Sequence, residues 1–401
     1  MSDISFIIPS APFLLNTRAF PNLGVLYLTT VLKQARYSVQ VIDLLGGEAL
    51  PEVSSGIVGI TMTSPTFPEG ARLLKEVKAR DPGSWVVAGG PHATVSPKDC
   101  LDAGFDQVVV GEGERAILKV VQGNKDRIIQ EPYIQNLDSI PFPDRSAVDM
   151  SRYSYESLGV RATHMITSRG CPWACSFCCR MWDHPPRYRG ARNVIAESGL
   201  LYDQGYRGIS LFDDEMLVQW SRDQEIFRNW QAQGFTYRLL TRANLISPER
   251  ARFLAETGCQ EVFIGIESGS DRILINIDKK TSRVMNLKAI KALHDAGIRV
   301  KAGFVIGLPG EDEQSIRDTE TFIEESRPDD VDFSLLTVMA GSPIADNPGA
   351  YDLKWEKTYE AYKGTPGKYV PTIATSKLNS KELLAARDRL EHRFKQAALL
   401  R

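Results

Sequence analysis

The sequence predicts an α/β protein built in two parts: a doubly wound parallel sheet, then a partial (β/α)6 barrel that ends in a helical tail. Two observations carry that expectation. Short, almost wholly apolar runs alternate with amphipathic helical segments across residues 1–145, and the alternation resumes over residues 161–345 and stops there. A chain of 401 residues is also too long for one compact core.

In the first part ISFIIPS (4–10), SVQVIDL (38–44), GIVGITMTS (56–64), WVVAGG (85–90) and QVVVGEG (107–113) read as strands. Their near-continuous apolar character is that of parallel strands buried on both faces. LGVLYLTTVLKQ (23–34), EGARLLKEVKAR (69–80) and GERAILKVVQG (113–123) place apolar residues at helical spacing. Alternating β and α segments imply right-handed crossovers and hence a flavodoxin- or Rossmann-like doubly wound sheet.

Ligands of such sheets sit beyond the carboxyl ends of the strands, where the winding reverses. The residues there are Thr61, Met62, Thr63 and Ser64; Gly89, Gly90, Pro91 and His92; and Gly111, Glu112 and Gly113. Small residues and glycines let a large flat ligand come close to the backbone. No G-x-G-x-x-G follows the first strand and no G-x-x-x-x-G-K-[ST] occurs, which disfavours dinucleotides and nucleoside triphosphates.

PNLGVLYLTTVLKQARYSVQVIDL, GITMTSPTF, VVAGGPHATVSP and VVVGEGE together resemble the cobalamin-binding domain that precedes many radical S-adenosylmethionine (SAM) enzymes. The resemblance implies that residues 1–145 bind cobalamin, through the strand-end residues above and through Leu23 and Gly24. No D-x-H-x-x-G is present, so the resemblance marks no histidine as the lower ligand of cobalt. His92 is expected to pack beside the nucleotide tail rather than to ligate the metal.

Residues 146–160 read as an ordered linker. They overlap NLDSIPFPDRSAVDMSRY (136–153), a stretch with two prolines, several acids and little periodicity. After the strand-like HMITSRG (164–170) comes RGCPWACSFCCR (169–180), with four of the chain's six cysteines. Cys171, Cys175 and Cys178 form C-x-x-x-C-x-x-C on the loop after that strand. Zinc sites pair cysteines at C-x-x-C and take a second pair or histidines farther on, and no second pair exists here. Three thiolates suit three irons of a 4Fe–4S cubane, leaving the fourth open. Cys179 is the surplus thiol, expected to point away from the cluster, and Cys100 and Cys259 read as small buried hydrophobes.

This cysteine spacing is the signature of the radical SAM superfamily, and residues 161–345 resemble its partial barrel. YRGISLFDDE (206–215), QGFTYRLLTRANL (233–245), EVFIGIESGS (261–270), VKAGFVIGLPGE (300–311) and DDVDFSLLTVMAGSP (329–343) read as its further strands. Helical patterns at 247–258, 282–297 and 311–326 lie between them. The chemistry of β/α barrels gathers at strand carboxyl ends, and each end here is polar. The resemblance implies that the open iron chelates SAM, with Phe177 beside the adenine. Asp213, Asp214 and Glu215 would accept from the SAM amino group, and Arg242 would hold a carboxylate by charge and fork geometry. Glu267 and Ser268 would meet ribose hydroxyls. The turn carrying Gly303, Ile306, Gly307, Gly310 and Glu311 would face the adenine, although Glu311 also suits a helix start.

Residues 346–401 read as a tail containing an amphipathic helix over 378–400, with Ser380 as its N-cap; by resemblance this region closes over the substrate. MWDHPPRYRG (181–190) suits either a roof over the site or a surface loop. His164, His184, His294 and His392 show no metal-ligand spacing. A net charge of −2 disfavours nucleic acid as a partner, and no apolar run approaches the roughly 18 residues that cross a bilayer. The start MSDISFIIPSAPFLL lacks a basic n-region and reads as a first strand, which makes the cytoplasm the expected location.

The resemblance as a whole implies a cobalamin-dependent radical SAM enzyme, class B methyltransferase-like, with a 4Fe–4S cluster, SAM and cobalamin as cofactors. Its partners would be a small-molecule or peptide substrate and a flavodoxin- or ferredoxin-type reductant. A 5′-deoxyadenosyl radical would abstract hydrogen from an unactivated carbon, and methylcobalamin would deliver the methyl group. Cyclisation or rearrangement without methyl transfer is one alternative, and a non-catalytic iron–sulfur and cobalamin-binding protein is the other.

Overall fold

The computed structural model describes residues 2–157, 159–182, 185–359 and 369–395 of the 401-residue chain. The chain folds as two units, Met1–Tyr155 with Tyr359–Val370, and Glu156–Thr358 with Pro371–Arg401.

The first unit is organised by strands β1 (Ile4–Ile8), β2 (Val39–Asp43), β3 (Ile57–Thr61), β4 (Trp85–Gly89), β5 (Gln107–Val110) and β6 (Ile128–Gln130). Their order is β2-β1-β3-β4-β5-β6 and every neighbouring pair is parallel. Every residue of β1 except Ser5 is apolar, and all five are buried. Alternation sends Ile4, Phe6 and Ile8 to the face covered by α1 (Leu23–Gln34) and α5 (Gly113–Val121). Ile7 joins the opposite face, under α2 (Phe67–Arg80). Asn22 starts α1 by accepting a hydrogen bond from the Val25 N–H at 3.1 Å. Because β1 lies between β2 and β3, the winding reverses there and the strand carboxyl ends open a crevice.

Two short helices, α3 (Pro91–Val95) and α4 (Pro97–Ala103), begin immediately beyond β4, where the sequence reads as turn residues. Each starts with a proline at its first position, where the missing N–H is no loss. Three-residue β6 has no period to read, which is why periodicity does not reveal it.

In the second unit β7 (Glu156–Ser157) forms an antiparallel hairpin with β8 (Val160–Met165). Beside β8 run β11 (Gly208–Leu211), β12 (Thr236–Thr241), β13 (Cys259–Glu267), β14 (Arg299–Ile306) and β15 (Asp330–Leu335), all parallel. These six strands are the partial barrel that the sequence predicts. A small antiparallel ladder of β9 (Ser168–Arg169) and β10 (Arg187–Tyr188) interrupts the first crossover. Helices α6 (Ala191–Asp203), α7 (Trp220–Gln233), α8 (Pro248–Glu256), α9 (Asp271–Asn276), α10 (Arg283–Asp295) and α11 (Glu313–Ser326) connect the strands. Tyr237 of β12 stacks on Phe227 of α7 at 4.5 Å beside the fully buried Trp230. Truncating such a core tryptophan costs about 3–5 kcal/mol.

The tail holds α12 (Pro343–Asp346), the hairpin β16 (Leu353–Trp355) and β17 (Ile373–Thr375), and α13 (Ser380–Phe394). Asn379, not Ser380, caps α13: its side chain accepts from the Lys381 and Glu382 N–H groups, and Glu382 reaches back to the Asn379 N–H. Ser380 sits one residue inside, where its hydroxyl no longer faces those donors. Lys395 is extended, and residues 396–401, which the sequence assigns largely to this helix, lie outside the described residues. Among the described residues no helix is long and apolar enough to cross a membrane.

Candidate functional site

At the carboxyl edge of the first sheet, β3, β4 and β5 are neighbours, so the three predicted strand ends share one edge. Three of the larger side chains there are turned into the fold. Met62 is buried. His92 is 1% exposed, packed against Phe67 at 4.3 Å and Tyr359 at 5.6 Å, with Nδ1 3.1 Å from the Ser64 hydroxyl. The buried Glu112 carboxylate accepts from the Ile134 N–H at 2.5 Å. What remains at the edge is Thr61, Thr63, Ser64 and Pro91 with the backbone of Gly89, Gly90, Gly111 and Gly113. Gly90 has φ +89, and a Cβ there would meet Thr61 Oγ1 at 2.8 Å and the Met62 carbonyl at 2.9 Å. Leu23 and Gly24 open α1, Leu23 buried and Gly24 exposed.

The second site is built around the cysteine loop. At its neck, Arg187 and Tyr188 pair with Arg169 and Ser168. Asp213 Oδ1 accepts from the Thr167 N–H (2.9 Å), the Thr167 hydroxyl (2.8 Å) and the Ser168 hydroxyl (2.6 Å). Asp214 accepts from the Gly170 N–H at 2.8 Å. Farther along, the Ser176 N–H donates to the Ile277 carbonyl at 3.0 Å, and the Arg180 N–H to that of Gly341 at 3.2 Å. The loop is thereby tied to β11, to the turn after α9 and to the segment before α12. Asp213 and Asp214, expected at the SAM amino group, hold the loop neck with one oxygen each. Burial raises the pKa of both, and Asp213 Oδ2 is buried without a hydrogen-bond partner.

Glu215 is the acid of this run that meets the other predicted residues. Its Oε1 accepts from the Thr241 hydroxyl at 2.8 Å. Burial pushes it up to about 7, against the pull of Thr241, Arg242 and Lys279. Arg242, 5% exposed, donates from Nη1 to Cys175 Sγ at 3.1 Å and from Nε to Asn244 Oδ1 at 3.3 Å. Its guanidinium carbon lies 4.6 Å from the centre of the Trp173 ring. Glu267 ends β13 at φ +66, next to a register shift, and receives the buried Lys279 ammonium at 2.6 Å. Gly265 makes room for this pair, since a Cβ there would lie 2.5 Å from Glu267 Oε1 and 3.1 Å from Lys279 Nζ. Glu311 is fully buried and accepts from the Gly307 N–H; Asp312, not Glu311, caps α11. Ser268 is fully buried beside Thr319 of α11, its hydroxyl 3.4 Å from that of Thr319. Ile306 is buried at the end of β14.

The thiols fit an iron–sulfur cluster. All three lie on one anchored loop, and Cys178 feels charge on both Cys171 and Cys175. Burial pushes Cys171 up to about 11 and Cys178 up to about 12, so iron must displace protons to bind. Cys178 is exposed at the surface, yet the protein packed around it still disfavours its thiolate. Among the described residues no group of three or more His, Cys, Asp or Glu side chains is placed to hold a single metal ion. Burial also raises Cys179, and the Asp214 carboxylate adds to the rise. Cys100 and Cys259 are buried, as expected. His164 is buried at 4% and His294 lies 3.1 Å from Asp329, while His184 falls outside the described residues.

Sequence reasoning missed Lys279, Trp173, Thr241 and Asn244. Trp173 lies between two of the cysteines and Asn244 two residues past Arg242, so proximity was a usable signal for these. Nothing local marks Lys279 among the many lysines.

Two family models match the chain, one described as the Radical SAM superfamily over residues 165–323 and one as a B12 binding domain over residues 18–121. An uncharacterised methyltransferase of Pyrococcus horikoshii is 29% identical over 361 residues, covering 80% of this chain and 76% of that protein. The anaerobic magnesium-protoporphyrin IX monomethyl ester cyclase of Cereibacter sphaeroides is 26% identical over 368 residues, 81% of this chain and 60% of that longer protein. The fold is that of the radical SAM methyltransferase TsrM from Kitasatospora setae, solved with cobalamin and a [4Fe-4S] cluster, at TM-score 0.68 and 18% identity over 86% of this chain and 74% of that one.

Proposed function

Since the chain belongs to the cobalamin-dependent radical SAM enzymes, we propose that it methylates an unactivated carbon of a small-molecule or peptide substrate. The observation that carries this reading is the meeting of the cysteine loop, Glu215 and Arg242 at adjoining strand ends, in a chain that also has a B12 binding domain. Bound together, the cluster and SAM supply a carbon radical that takes hydrogen from a substrate, and cobalamin carries the methyl group.

The protein's part is placement. Cys171, Cys175 and Cys178 hold the cluster, and Asp213 and Asp214 fix the loop that presents them. Glu215 accepts from the SAM amino group, and Arg242 meets its carboxylate through Nη2, which is buried with no hydrogen-bond partner in the protein. Glu267, steadied by Lys279, accepts from ribose hydroxyls, and Phe177, Ile306 and Gly307 border the adenine. Residues 1–145 hold cobalamin on the glycine-rich edge, residues 161–345 form the catalytic barrel, and the tail covers the substrate. A flavodoxin- or ferredoxin-type donor supplies electrons.

The test uses protein purified without oxygen and loaded with iron, sulfide and cobalamin. With SAM and reductant, formation of both S-adenosylhomocysteine and 5′-deoxyadenosine is expected. Replacing Cys171, Cys175 and Cys178 with alanine should abolish the cluster absorption and both products. A loaded wild type that binds no cobalamin overturns the reading. The cyclase relative supports a second reading, ring closure without methyl transfer. For that reaction 5′-deoxyadenosine would form without S-adenosylhomocysteine.

A further inference from the structure

We propose that Trp173 and Arg242 are a positioning pair that fixes one N–H···S hydrogen bond on Cys175 and so raises the reduction potential of the cluster. The proposal rests on the cluster assignment above and goes beyond it, because it gives Arg242 work to do before SAM arrives.

The three cluster thiols are not equivalent in this fold. Cys175 accepts from the Arg242 guanidinium at 3.1 Å. Trp173, which lies between Cys171 and Cys175 in sequence, sets its ring against the cation that serves Cys175. The cation has little freedom: it is 5% exposed, its Nε is held by Asn244, and its carbon lies 4.6 Å from the centre of the indole ring. A planar guanidinium can stack on the ring and donate in its own plane at the same time, which a lysine ammonium cannot do. The indole Nε1 is itself buried without a hydrogen-bond partner. The ring is therefore held by packing and by the cation.

A donor on a cluster sulfur draws negative charge away from the metal centre and favours the form with one more electron. The step concerned is uptake of one electron by the oxidised cluster from an external reductant, with no bond made or broken. A single hydrogen bond to a charged sulfur is worth about a tenfold change in that equilibrium.

The experiment is a redox titration of cluster-loaded protein with no SAM present, followed by the absorption and paramagnetic resonance of the cluster. Omitting SAM keeps any role of Arg242 toward its carboxylate out of the measurement. Arg242→Gln is expected to carry a full cluster with a more negative midpoint, its reduced-to-oxidised ratio at fixed potential falling about tenfold. Trp173→Leu should shift the midpoint the same way by less, whereas Trp173→Phe, which keeps a ring under the guanidinium, should stay near wild type. Should Arg242→Gln fold but fail to retain four irons, Arg242→Lys decides by the same shift. Wild-type midpoints in the Arg242 variant and in Trp173→Leu, each with a full cluster, overturn the proposal. A wild-type protein that takes up no cluster at all overturns the functional reading and this proposal together, and so is told apart from failure of the proposal alone.

Discussion

At the carboxyl edge of the N-terminal sheet, Met62, His92 and Glu112 turn their side chains inward and leave small residues and backbone at the surface. At the strand ends of the half-barrel the arrangement is reversed. There Glu215, Arg242, Glu267, Lys279 and Glu311 are all buried ionisable groups. The first surface suits a broad ligand that needs close approach and few directed contacts. The second suits small charged groups whose orientation matters, and buried charges of this kind are stable only when paired or hydrogen-bonded. Substitutions should therefore act differently at the two: adding atoms harms the first, and removing charges harms the second.

The largest effect is expected at Lys279. Replacing it with methionine leaves the Glu267 carboxylate buried without its counter-ion, at a cost of about 3–5 kcal/mol. Urea unfolding of the unliganded protein measures it, and adding Glu267→Gln to the same chain should recover most of the loss. Failure of the second substitution to help would mean that Lys279 stabilises by packing rather than by charge.

Glu311 comes next and has a definite pH signature. Burial holds it at about 7, above its ordinary 4.5. Between those values the folded protein keeps a proton that the unfolded chain has released. The stability tied to that proton is complete below pH 4.5 and fades as the pH rises through about 7. Glu311→Gln is neutral throughout, so it should narrow the fall in stability between pH 5 and pH 8 by on the order of 3 kcal/mol. An unchanged fall would show that other groups carry it.

Gly90→Ala tests the glycine-rich edge. With φ +89 and neighbours at 2.8 and 2.9 Å, a Cβ there both strains the backbone and collides with Thr61 and Met62. A loss of about 1–3 kcal/mol in thermal unfolding is expected, with weaker retention of cobalamin after desalting. Gly47→Ala is the control, since Gly47 has φ +81 but nothing within 4 Å. Equal losses at the two glycines would assign the effect to backbone conformation alone. The smallest effect belongs to Asn379→Ala, which removes the α13 cap at a cost of about 1 kcal/mol. It should leave cluster loading unchanged, because none of the cap's hydrogen bonds reaches the cysteine loop.

The legibility of the two sites follows the same division. Cys171, Cys175 and Cys178 stand out as a group because all three lie on one loop, close together in sequence. The glycine-rich edge could be read because strand ends announce themselves by a change from apolar runs to small residues. Asp213, Asp214 and Glu215 were legible as a polar strand end but not in their separate roles. Asp213 meets residues about 45 positions earlier, and only the packing of β8 beside β11 brings them together. Arg242 stood out as a cation at a strand end, but its sulfur partner is 67 positions away.

By itself, then, the sequence determined what is local: the alternation that makes a doubly wound sheet and a six-strand half-barrel, and the cysteine spacing on which the proposed cluster assignment rests. Its periodicities record which side of each strand and helix is buried, and burial is strong enough to set the elements one by one. The tertiary structure alone decided the pairings, Lys279 with Glu267 and Arg242 with Cys175 and Trp173. The physical reason is that a buried charge is specified by its partner's position in space. That position depends on strand order and register, which no single segment encodes.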